Sequence, residues 1–226
     1  KLGSMAICAF VAASTQAEIV RFDIQEKSLA FEGRVFPNVG TYTLIKAKAT
    51  IALDPADKRN AVIADLQFAP KNSKGQVEAS ADVVILQPTN AQAGNKTLLV
   101  DIPNRGRKLA PQLFDDAAQP GANNAVKSQD AGIAYLHRQG YTMAWIGWQG
   151  DIPSEPLQLA MQAPSAMGLQ GAARDEFQFD HLTNPITVKL SSVIENPSSV
   201  KATVRAHWTH TRQTPSDLSV KVTGPH

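Results

Sequence analysis

The chain has 226 residues, 43% of them hydrophobic and 19% charged, with a formal net charge of +2. That length allows one sizeable core or two small ones, and the balance is that of an ordinary globular protein, neither disordered nor membrane-spanning. So slight an excess of cations, with no basic stripe interleaved with aromatics, implies no nucleic-acid partner, and the single cysteine, Cys8, excludes a disulfide framework or a thiolate metal site.

Taken in chain order, "KLGS" reads as a cloning scar. "MAICAFVAASTQA" follows, a short apolar run ending in small residues, with a T-Q-A that suits a signal peptidase. It is too short to span a membrane. Residues 1–17 are therefore expected to be scar plus signal peptide, with a mature start near Glu18 and a secreted or periplasmic protein. The alternative is a strand-forming native start.

"IVRFDI" and "YTLIKAKATIAL" suit strands. "DPADKRNA" between strands is a turn, in which Pro55 fixes φ and Asp54 can bond the backbone ahead. "VIADLQFA" predicts another strand, ended by Pro70. In "VEASADVVIL", Val77, Ala79, Ala81, Val83 and Ile85 fall on one face. "TLLVDI" has almost no polar positions, the mark of a strand covered on both faces. A long loop, "APQLFDDAAQPGANNAVK", has room for a short helical turn. "SQDAGIAYLHRQG" predicts a helix over 128–140, with Ser128 as N-cap and Gly140 as the stop. "YTMAWIGW" is a second near-continuous apolar strand.

Strand, loop, helix, strand is a β-α-β unit, so the local sheet should be parallel. From Asp151 the pattern changes. "PSEPLQLAMQAPSAMG" is loop-like, and "ITVKLSSVI", "VKATVRAHW" and "LSVKVTG" read as short strands. The expected organisation is an α/β sheet with a large β component over residues 18–150, then a β-rich insertion or subdomain over 151–226.

In open α/β sheets, ligands gather outside the carboxyl ends of parallel strands. "NRG" (Asn104, Arg105, Gly106) and "GWQGD" are two such ends and should lie together. Gly106 allows a sharp turn, and Arg105, Arg107 and Lys108 supply cations, so the spot could hold an oxyanion or carboxylate. The plainer reading is a structural turn with a solvated basic tip.

"NAVIADLQFAPKNSKGQVEASADVVILQP", "NRGRK", "LHRQGYTMAWIGWQGD" and "ARDEF" together resemble the amino-terminal part of the bacterial alpha/beta-hydrolase domain-containing proteins, over about Ile19 to Gly224. The resemblance implies an α/β-hydrolase-like sheet with Leu98–Ile102 as its third strand and Tyr141–Trp148 as its fourth. It also implies that Asn104, Arg105 and Gly106 lie in the loop that donates an oxyanion-hole N–H. From the position of the two strand ends, Trp148 and Gln149 are expected to face the same cavity as that loop. The family's serine enzymes need a G-x-S-x-G-like elbow, then Asp or Glu, then His. No such elbow occurs here: Ser165 in "APSAMG" lacks the first glycine, and no catalytic residue carries over. The chain thus resembles the amino-terminal portion of a longer enzyme.

In the order the resemblance implies, the third strand lies between the fourth and a fifth that this chain lacks. Leu98–Ile102 would then be an apolar edge, and exposed apolar edges recruit other chains, so a homo-oligomer is expected. Two classes follow: an esterase-type serine hydrolase acting on a small-molecule ester without a cofactor, or a non-catalytic binding module that keeps the cleft.

Other features are weaker. His207 and His210 in "HWTH" sit three apart on a predicted strand and point to opposite faces, so they cannot share a metal ion. His137 reads as a favourable charge at a helix end. Asp115–Asp116 and Asp175–Glu176 read as solvated or capping carboxylates. Trp145 is expected in the core.

Overall fold

The computed structural model describes residues 18–152, 157–166, 168–169, 171–172, 174–177, 186–189, 201 and 220–223. The chain divides into two compact units, Lys1–Gly168 and Leu169–His226. Residues 157–162 thus stay with the first sheet rather than opening the second unit at Asp151.

The first unit is built on a mixed sheet. β1 (Glu18–Leu29), β2 (Tyr42–Leu53) and β3 (Val77–Pro88) are long and antiparallel, and their apolar alternation matches the pleat. β5 (Thr142–Ile146) is antiparallel to β3, and β4 (Leu98–Asp101) is parallel to β5. The order is β1-β2-β3-β5-β4, and β6 (Met161–Gln162) extends the β5 side of β3. The parallel pair expected from the two apolar strands is therefore present, and β4 is the outermost strand. In the second unit, β7 (Ile186–Lys189) and β8 (Val220–Thr223) pair in parallel. Asp54 bonds the Ala56 N–H in the turn after β2 as its sequence suggests.

One face of the first sheet carries the main core, with Phe31, Phe36, Tyr42, Leu44, Leu86, Met143 and Trp145 all buried. The other face holds a smaller cluster of Ala47, Ala49 and Val83 with Ile85. The register carries that apolar face across the sheet, from Ile24 through Ala47 and Val83 to Ile146. Its flanks are open: Ile24, Ile146, Leu98 and Val100 are all exposed. β4 was expected to be covered on both faces. It is not, because an outermost strand has one sheet neighbour and its Leu98–Val100 side carries no covering layer among the described residues.

Two further expectations are corrected. "VIADLQFA" is not a strand: it runs through turns into a 3-10 turn at Leu66–Phe68, with Asp65 left-handed at φ 58°. Local side-chain bonds compete with a ladder here. Asp57 accepts from the Arg59 N–H, and the Asn60 amide donates to the Asp54 carbonyl. Leu66 and Ala69 then pack on Val77 and Leu53, while Val62 stays exposed.

The helix over 128–140 is also broken. A 3-10 turn covers Ser128–Ala131, with Lys127 rather than Ser128 at the cap, and only Tyr135–Arg138 (α3) is α-helical. Asp115 is the cause. Its carbonyl accepts from the Ile133 N–H and its carboxylate from the Leu136 N–H, so these amides do not reach back four residues along the chain. Gly132 and Ala134 take positive φ to allow it. Gly140, at φ 74°, ends the segment as expected. The loop before it holds two short helices, α1 (Ala110–Asp115) and α2 (Gly121–Asn124).

Candidate functional site

The carboxyl ends of β4 and β5 meet. Trp148 donates its indole N–H to the Pro103 carbonyl at 2.8 Å, and the Arg105 backbone N–H donates to Gln149 Oε1 at 2.9 Å. Asn104 and Arg107 exchange both backbone hydrogen bonds, leaving Arg105 and Gly106 as a two-residue loop with φ 50° and 79°. Positive φ at both central residues is the type I′ signature, and Gly is the residue that takes it without strain.

Behind this loop runs the strap of residues 157–162. The Leu159 N–H donates to the Gly106 carbonyl, and the Met161 N–H donates to the Gln149 carbonyl. Gly147 makes the approach possible, since a Cβ there would land on the Ala160 backbone. At Gly106 an added Cβ would sit 2.9 Å from Gln158 Cβ and 2.9 Å from the Leu159 nitrogen. Gly106→Ala should therefore cost about 2 kcal/mol, from the left-handed φ and the backbone contact together. Urea denaturation measures this; a change within about 0.5 kcal/mol, the scale of an ordinary surface substitution, would mean the turn relaxes freely.

The three cations do not converge. Arg105 pairs with Asp151 at 2.7 Å and also donates to the Asp151 carbonyl, and this pair holds the Asp151 carboxyl below its ordinary range. Arg107 is exposed. Lys108 turns inward and is buried. Its ammonium donates to the Asn123 carbonyl at 2.7 Å and lies 5.0 Å from the centre of the Trp145 ring. Burial, with the charge of Lys46 adding to it, pushes its pKa down to about 7, against a favourable pull from Asp101. The basic tip is thus one cation in an ion pair, one free at the surface and one built into the core.

Asp101 closes the loop's base. Its Oδ2 accepts from the Leu109 and Ala110 N–H groups at 2.8 Å each and from Trp145 Nε1 at 2.6 Å. Two of those donors open α1, where a carboxylate is favoured. The sequence carries a signal for this residue that its composition masks. In "TLLVDI", Asp101 shares the inward face with Leu99, and an acid there needs several donors.

The other singled-out residues are not part of the Arg105–Gly106 turn. Trp145 is fully buried, as expected. Ser165 is exposed and in no regular element. His207 and His210 fall outside the described residues, as do residues 1–17. Among the described residues, no group of three or more His, Cys, Asp or Glu gathers that could hold a metal ion. No described helix is long and apolar enough to cross a membrane.

His137 is not a solvated cation at a helix end. It is buried among Phe31, Phe36 and Tyr42, with ring centroids 4.8–5.1 Å away. Asp115, expected to be solvated or capping, takes the Leu136 N–H in the first turn of α3 and is fully buried beside the imidazole, with Oδ2 3.4 Å from His137 Nδ1. Burial pushes the imidazole down to about 3, so it is neutral, and raises the Asp115 carboxyl to about 6 against the pull of its backbone donors. The two shifts act oppositely on stability. Asp115 binds its proton more tightly when folded, so its contribution is lost as pH rises from about 4 to about 6. His137 binds its proton less tightly when folded, so its contribution is lost as pH falls from about 6.5 towards 3. Between about pH 4 and 6 they offset one another. Asp115→Asn keeps an acceptor for Leu136 and removes one arm, so the variant should lose stability more steeply than the parent as pH falls through that window. Urea midpoints from pH 4 to 7.5 measure it; parallel curves would refute the pairing.

Comparison with protein-family models, with curated proteins and with solved structures found no match to this chain.

Proposed function

We propose that this chain carries the oxyanion-hole side of an esterase-type serine hydrolase that works on a small-molecule ester outside the cytoplasm, on a partial α/β-hydrolase-like sheet. The supporting observation is the juxtaposition at the ends of a parallel strand pair: the Arg105 N–H at the tip of a glycine turn, 2.9 Å from the Gln149 side chain and beside the half-exposed Trp148. That is the kind of place where an α/β sheet binds ligands, and a backbone N–H there can stabilise developing charge on a carbonyl oxygen. The order of β5 and β4, with β4 outermost, agrees with the third and fourth strands that the resemblance implies.

A second reading is a binding module that keeps the cleft without catalysis. The observation favouring it is that the donor is already occupied by Gln149, in a sequence without an elbow serine.

The test compares this chain with the complete product of its gene. The complete product should hydrolyse short p-nitrophenyl esters and react with a fluorophosphonate at one serine, while residues 1–226 stay unlabelled. An unreactive complete product would leave the binding module. Labelling within 1–226 would put the nucleophile inside this chain. The same reading has the apolar edge at β4 pair with a second copy, so light scattering on 1–226 should give an oligomer, and a clean monomer mass would count against that pairing.

A further inference from the structure

The outer strand opposite β4 is the longer one. β1 runs 12 residues and, among the described residues, pairs with β2 alone, so one row of its N–H and C=O groups faces outward. Such a row is a template for another strand, and edges are commonly blunted by proline, charge or bulges. β1 has no proline. It has two bulges, between Ile19 and Arg21 and between Ile24 and Glu26, and the stretch Arg21–Ile24 between them is regular. In that stretch Phe22 and Ile24 are 43% and 58% exposed, and they stand in register with Ala49 and Ala47 on the smaller apolar face. Arg21 and Asp23 alternate with them on the other face, in an ion pair of 2.7 Å that is open to solvent.

The stretch is complementary to itself. Facing residues of an antiparallel pair lie on one side of the sheet, so a strand that pairs with its own copy about a two-fold axis is centred on a residue, not between two. Two centres fit between the bulges. Centred on Asp23, the pairing sets two aspartates face to face. Centred on Phe22, it sets Arg21 against the second copy's Asp23 and Asp23 against its Arg21, with Phe22 against Phe22 and Ile24 against Val20. Like charges directly opposite destabilise a pair, whereas opposite charges and aromatic pairs stabilise it.

We propose that β1 docks a second copy of this chain, antiparallel and centred on Phe22, so that the two first-unit sheets become one. The pairing keeps both apolar faces on one side, and Phe22 and Ile24 of each copy cover those of the other across the seam. The bulges set its length. They bend the strand away at both ends, which keeps apart Glu18 and Glu26, the like charges that this register would otherwise oppose. The inference is independent of the hydrolase reading and of the pairing at β4.

Cysteine pairing reads the register. In a Cys8→Ser background, Phe22→Cys meets its own copy across the axis and should form an intermolecular disulfide under mild oxidation, while Asp23→Cys, off centre, should not. Val100→Lys, on β4, should leave the Phe22→Cys cross-link intact, which separates the two edges. Sedimentation velocity on the parent should show a concentration-dependent dimer. Arg21→Glu places like charges at both cross-copy pairs and should weaken it about ten-fold. Exchanging the two residues, Arg21→Asp with Asp23→Arg, should restore it. A cross-link through Asp23→Cys in place of Phe22→Cys, or an oligomer that Arg21→Glu leaves unchanged, would overturn the pairing. A chain still monomeric at millimolar concentration would overturn it too, leaving the edge to the strand of another protein.

Discussion

Asp101→Ala should destabilise the first unit by about 4 kcal/mol, the scale for removing a half-buried carboxylate that serves several donors. A single oxygen of Asp101 takes the Leu109 and Ala110 amides and the Trp145 indole. Alanine would strand all three donors at once, two of them at the first turn of α1. The indole is the costliest, because Trp145 is fully buried and no water reaches its N–H. Lys108 would also lose the one nearby charge that favours its protonated form, so its pKa should fall further below about 7. The loop carrying Arg105 and Gly106 begins at β4 and returns at Leu109, and Asp101 ties these ends together. Guanidinium denaturation, followed by Trp fluorescence, measures the first effect. Asp101→Asn keeps one acceptor and should fall between parent and alanine. A variant within about 1 kcal/mol of the parent, the worth of one ordinary hydrogen bond, would show that these donors find other acceptors.

Gly132→Ala should be comparably damaging, for a different reason. Its φ is +52°, and an added Cβ would land on the Asp115 carbonyl oxygen and within 3.0 Å of the Ala117 backbone. Both obstacles are main chain, so neither can rotate away. The Asp115 carbonyl is the acceptor for Ile133, and its carboxylate caps Leu136. Displacing it disturbs the buried Asp115–His137 pair as well as the connection between α1 and α3. A loss of about 3 kcal/mol or more is expected, in the range of severe backbone strain combined with a broken buried network. Thermal unfolding at pH 7 provides the measurement. A variant that melts with the parent would mean that the segment from α1 to α3 repacks without cost.

The contrast between these two sites shows what the sequence could reveal. Long alternating segments were legible. The strands at Tyr42–Leu53 and Val77–Pro88 lie where the apolar spacing puts them, because half-buried pleats impose a period of two. The parallel pairing of β4 with β5 followed from two apolar strands with an intervening crossover. The helix over 128–140 failed for a reason outside its own residues. Asp115, distant in sequence, supplies acceptors that compete with the helical ladder, and nothing in "SQDAGIAYLHRQG" announces them. "VIADLQFA" failed because side chains at Asp57 and Asn60 had already committed the preceding chain to turns. The nearness of Arg105 to Gln149 could be read from the order of the strand ends. The fate of Lys108 could not, since a cation after a strand reads as solvated until a buried carbonyl and an indole face are found waiting for it.

The order of the sheet also sets an order of assembly. β1, β2 and β3 are neighbours along the chain as well as in space, and each pair zips over nearly its full length. Their connections, residues 30–41 and 54–76, are shorter than the stretch between β4 and β5, so this meander can form early and persist longest. β4 meets β5 only after residues 102–141 have been gathered, including the tie at Asp101, and it pairs on one side alone. Under native conditions the amides of Leu98–Asp101 should trade their protons for deuterium well before those of Val83–Leu86. The Arg105–Gly106 turn would then rest on the part of the first unit that opens most readily, while the three long strands stay closed beside it.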